Sequence, residues 1–110
     1  MTYQQYARFL HTTAPSLPLI EWQIVMFFYA AVHATNSVLY APGGAPLTHT
    51  RHEANMFVHA GIDLLMVEYQ ELKALSLTAR YKPQLHPLSA AELAHATRLS
   101  TVMLAGCGVP

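Results

Sequence analysis

The sequence predicts an all-α protein, an antiparallel bundle of four to five helices spanning residues 1–110 as one domain. Three observations predict it. Apolar residues recur at steps of three and four and almost never alternate with period two. Proline and glycine gather at three places, Pro15 to Pro18, Pro42 to Pro46 and Pro83 to Pro87, and separate the periodic stretches. Two Ser/Thr-x-x-Glu boxes, Thr50 with Glu53 and Ser89 with Glu92, stand where helices should begin.

The elements follow in order. A short first helix is expected over about Thr2 to Thr12, with Tyr6, Phe9 and Leu10 on one face. A second runs from about Leu19 to Tyr40. Its stripe is Ile24, Phe28, Ala31, Thr35 and Val38, widened by Val25, Val32 and Leu39, which marks the central helix of a bundle. The third opens near Arg51 on the Thr50–Glu53 box and ends near Ala60-Gly61. Asp63 caps a fourth that reaches Tyr81, with Leu65, Tyr69, Leu72, Ser76 and Ala79 as its seam. It ends at Lys82-Pro83, because proline disfavours helix in the residue before it. The fifth opens at Ser89, turns Leu93, Ala96, Leu99 and Met103 inward, and stops at Gly106.

Composition bounds the function. Of 110 residues, 53% are hydrophobic and 11% charged, against roughly 25% charged in an ordinary soluble domain. The longest apolar run, Ile24 to Val32, falls short of the roughly 20 residues that span a bilayer, so no membrane partner is expected. The deficit of charge points instead to an apolar face covered by a second copy, with the second helix contributing heavily. Six basic and six acidic residues cancel, so any nucleic-acid site has to be a local patch. One cysteine, Cys107, and no leader-like start are read as cytoplasmic.

Several segments, taken in order, carry a family resemblance. Trp22 to His33 ends in Phe28-Tyr29-Ala30-Ala31-Val32-His33. Gly44-Ala45-Pro46-Leu47-Thr48-His49-Thr50-Arg51 leads from a Gly/Pro loop to a Thr-His pair and a basic residue. Tyr69, Leu72, Leu75 and Ser76 precede Ala79-Arg80-Tyr81, and Ser89 opens a closing helix. With these segments the chain resembles small single-domain bacterial proteins of the HEPN superfamily. The resemblance implies an all-α bundle that pairs two-fold. It also implies association with RNA or nucleotides, as a metal-independent ribonuclease or as a toxin–antitoxin or defence component. Active members use Arg-x(4–6)-His, a spacing met here by Arg80 and His86 as catalytic candidates. Tyr81 directly after the arginine, and Pro83 and Pro87 around the histidine, set His86 in a loop.

The chemistry suits those residue types. Histidine exchanges protons near neutrality, and arginine grips phosphate with two donors. Arg51, Asn55 and His59 recur every four residues, with His49 just before them and His52 beside them. They form the densest polar cluster and a candidate anion or nucleotide site; the alternative is a solvated helix face. His33 is either a hydrogen-bonded core histidine or part of a dimer cleft. One geometric expectation joins Arg51 and His49 to Arg80 and His86 in such a cleft, with Glu53 as the competing neutraliser of Arg51. No metal or cofactor is expected: Glu92-x-x-His95 is the one Glu-x-x-His, where a di-iron bundle needs two. Met26, Met56, Met66 and Met103 read as core filling. The alternative function is a non-catalytic homodimeric scaffold that binds a protein partner.

Overall fold

A computed structural model of the chain describes residues 1–41, 44, 48–81 and 87–110. Of the described residues 81% are helical and none is in a strand. The helices are α1 (Tyr3–Thr13), α2 (Ile20–Leu39), α3 (His49–Val58), α4 (Met66–Tyr81) and α5 (Ala90–Gly106). Two 3-10 turns, Ala14–Ser16 and Ile62–Leu65, precede α2 and α4. The radius of gyration, 13.3 Å, equals the value of about 13 Å expected for one compact domain of this size.

Local chemistry explains where the helices begin and end. The Thr2 and Ser89 hydroxyls accept from the Gln5 and Glu92 amides, and those side chains reach back to the cap amides, so α1 and α5 open on complete capping boxes. The cap of α3 is Thr48, which accepts from the Arg51 amide. Thr50 lies inside the first turn, so α3 begins two residues earlier than the Thr50–Glu53 spacing suggested. Asp63 lies in the second 3-10 turn and accepts from the Gly61 amide rather than capping α4. α5 ends at Gly106 as expected, and Gly108 turns the chain back beyond its cap. With φ +72° it lets its own amide bond to Ala105 O and the Val109 amide to Leu104 O at 2.9 Å, the double return of a Schellman motif.

α2 is the core helix. It packs against α1, α4 and α5 at once. Ile24, Phe28, Ala31 and Thr35 are buried as the stripe requires, and Phe27, Ala30 and Ala34 join them. Tyr69, Leu72, Ser76 and Ala79 from α4 and Ala96, Leu99 and Met103 from α5 complete the centre. Met56 is fully buried, and Met26 and Met66 pack at the core's margin. Val38 and two α1 residues depart from their expected faces. Ala7 is the α1 residue that docks, while Tyr6 and Phe9 face solvent. Most of α2's apolar face is therefore used within the chain. Other exposed apolar side chains lie off α2, among them Phe57 (72% exposed), Val58 (81%), Leu64 and Val67 on α3, the second 3-10 turn and α4. No described helix is long and apolar enough to cross a membrane.

Candidate ligand-binding site

Three polar features stand on this frame. The first is a buried chain of hydrogen bonds around His52. Asn55 Nδ2 donates to the Tyr40 hydroxyl at 3.1 Å. The Tyr40 hydroxyl lies 2.9 Å from His52 Nδ1, and His52 Nε2 lies 2.8 Å from Thr35 Oγ1. Thr35 in turn donates to Val32 O. Since the threonine has one proton and gives it to a carbonyl, its oxygen accepts from His52 Nε2–H. The network thereby assigns the Nε2-protonated neutral tautomer, with Nδ1 accepting from Tyr40. Burial, helped by His49 nearby, takes the His52 imidazole from its usual 6.5 down to about 4. Every donor in this chain has an acceptor, and the arrangement ties α3 to α2.

The second feature is a groove of about 730 Å³ between the N-terminal half of α2 and the end of α4. Leu17, Leu19, Val25, Met26 and Ala79 line its apolar floor, and Trp22, Tyr29, Glu21 and Arg80 give it polar and aromatic walls. Trp22 is 55% exposed. Arg80 is half-buried and held in place: Nη1 donates to the Tyr29 hydroxyl at 3.1 Å and Nε to Ser76 O at 3.4 Å. Its guanidinium lies over the rings of Tyr29 and Tyr81, 5.8 Å and 5.4 Å from their centroids. Among the described residues no carboxylate pairs with it, Glu21 included. At the last turn of α4 the cation also meets the negative end of the helix.

The third is a recess of about 670 Å³ formed by the start of α1 and the C-terminal half of α2, lined by Tyr3, Tyr6, His33, Ser37 and Tyr40 among others. The Tyr6 ring stacks on His33 at 5.3 Å, and Tyr3 lies against it at 5.8 Å. His33 is half-buried, and its Nδ1 has no hydrogen-bond partner among the described residues. Burial lowers its pKa. It is thus neither a satisfied core histidine nor in contact with the other candidates.

The sequence-derived candidates are distributed across these features. Arg51 and His49 are exposed at the start of α3, with the His49 ring 6.0 Å from Phe28. Asn55 belongs to the buried chain. His59 is the C-terminal cap of α3, and its Nδ1 has no partner among the described residues. Glu53 pairs with Lys73 of α4 rather than with Arg51. No described contact joins Arg51 to Arg80. His86 lies outside the described residues. No group of described histidines, cysteines and carboxylates is arranged to hold a metal ion. Cys107 is buried, its thiol pushed up to about 11, far from the reactive range.

Sequence reasoning placed Thr35 and Tyr69 among the inward-facing residues but missed their contacts with His52, and it missed Tyr40. Tyr69 is fully buried against the rings of His52 and Phe28, and burial raises its hydroxyl's pKa. The available signal was Thr35, a hydroxyl in an otherwise apolar stripe, which has to find a partner when buried. The fold and these sites define a small helical bundle with an aromatic, cationic groove. No family model, curated protein or solved structure matches the chain.

Proposed function

We propose that this chain is a helical module associated with RNA or nucleotides, and that it binds a nucleotide in the groove between Trp22 and Arg80. One observation carries the reading: a half-buried guanidinium, fixed by Tyr29 and Ser76 and paired with no described carboxylate, at the end of a groove that starts with an exposed tryptophan. Arginine offers phosphate a planar pair of donors, and a tryptophan face stacks on any base. Glu21 suits the ribose hydroxyls. The HEPN resemblance points the same way. The reading is one of binding, carried by Arg80 as Tyr29 and Ser76 hold it.

The experiment uses the sole tryptophan, Trp22, as its reporter. Adenosine monophosphate quenches its fluorescence saturably, adenosine binds at least tenfold more weakly, and Arg80→Ala removes that difference. Equal binding of the two ligands by the native protein, or none of either, overturns the proposal.

A second reading has its own observation. Phe57, Val58, Leu64 and Val67 are all exposed on the consecutive elements α3, the second 3-10 turn and α4, and a chain of zero net charge does not repel its copies. This reading is a scaffold in which a second copy covers the patch. It expects a dimer by sedimentation at micromolar concentration that Phe57→Glu dissociates; a native monomer counts against it.

A further inference from the structure

The groove and the His33 recess lie on one face of one helix. Trp22, Met26, Tyr29, His33 and Ser37 follow each other along α2 at steps of three and four, so their side chains share a side. The groove ends at Tyr29 and the recess begins one turn later at His33. Arg80 is hydrogen-bonded to Tyr29 and so stands at the junction. Aromatic walls therefore occupy both ends, Trp22 at one and Tyr6 with His33 at the other, and a cation lies between them.

From this order we infer that the two cavities are halves of one site, whose ligand is a dinucleotide: two planar bases joined by a phosphodiester. The inference rests on the nucleotide reading and extends it. At a rise of 1.5 Å per residue, Trp22 and His33 are about 16 Å apart along the helix, with Tyr29 about 10 Å from the first. Stacked bases of a duplex strand sit about 3.4 Å apart. The spacing therefore selects an unstacked, splayed dinucleotide, the form in which single strands meet aromatic side chains. The phosphodiester carries one negative charge, which one arginine neutralises.

The second half has what a base needs. The Tyr6 ring is 41% exposed and presents a stacking face. His33 Nδ1, buried and without a partner among the described residues, offers one nitrogen to a base edge. Among the described residues no Asp, Glu, Lys or Arg side chain lines this recess, which suits an uncharged base.

Calorimetry with adenosine monophosphate and with adenylyl-(3′→5′)-adenosine tests it. The native protein is expected to bind the dinucleotide at least tenfold more tightly than the mononucleotide. Tyr6→Ala, a change on the exposed face of α1, brings the dinucleotide to the mononucleotide's affinity and leaves the mononucleotide unchanged. The ring nitrogen resonances of His33 shift with the dinucleotide and stay in place with the mononucleotide. Equal affinities in the native protein, with the Arg80 dependence intact, overturn this inference and leave the nucleotide reading standing. A dinucleotide advantage that survives Tyr6→Ala also overturns it. No binding of either ligand overturns both.

Discussion

Acidification is expected to loosen the fold through His52. The residue is 3% exposed, and its ring is held neutral by a chain whose proton directions are all assigned. Protonation places a second N–H at Nδ1, facing the Tyr40 hydroxyl proton, so Tyr40 has to turn away and release Asn55. The imidazole falls from 6.5 when unfolded to about 4 when folded. The unfolded chain therefore binds the extra proton first as pH falls. Stability is fully present above about 6.5, declines below it and stops declining near 4. Taken to about pH 5, that shift removes about 2 kcal/mol, a large share of the 5–15 kcal/mol typical of a whole domain. His11 and His33 are also lowered by burial and add to the slope in the same direction. Urea unfolding followed by circular dichroism at about pH 7 and about pH 5 measures the loss. The native protein should lose about 2 kcal/mol or more, and His52→Gln should lose substantially less, keeping only the contribution of the other histidines. Equal pH slopes in the two proteins, or a His52 ring proton that titrates near its ordinary value by nuclear magnetic resonance, refute the reasoning.

Further outcomes follow from the same contacts. Tyr40→Phe leaves His52 Nδ1 without its donor and should lower stability by about 1–3 kcal/mol at neutral pH, read by chemical denaturation; an unchanged midpoint argues against the assigned tautomer. Thr48→Ala should cost about 1 kcal/mol while Thr50→Ala costs little; the reverse order in thermal melts would return the start of α3 to Thr50. Gly108→Ala forces an alanine to φ +72° and should cost about 1 kcal/mol, with fraying at the end of α5 visible in amide exchange.

Much of the fold was legible because its signals are local. Ser89-x-x-Glu92 is a cap whatever surrounds it, and the seams of α4 and α5 follow from spacing alone. The start of α3 was harder, since Thr48 and Thr50 both fit a cap and only the backbone decides between them. Gly106 was read correctly as the last residue of α5, while the left-handed turn at Gly108 was not foreseen. The site was less legible because its links are tertiary. His52 looks like one more surface histidine in a polar stretch, and its partners Thr35 and Tyr40 stand on another helix. Tyr6 and Phe9 suggested an inward face for α1, yet the close approach to α2 admits the small Ala7 instead. Arg80 was singled out by a motif, but its fixing by Tyr29 required α2 and α4 to be packed side by side.

The most direct test of the nucleotide site is a map of amide and arginine side-chain resonances as adenosine monophosphate is added. The Arg80 Nε–H signal should move most, with Trp22 and the other groove residues of α2 and α4, while the start of α3 stays still. Shifts centred on His49, Arg51 and Asn55, or no shifts at all, would contradict a phosphate site at Arg80.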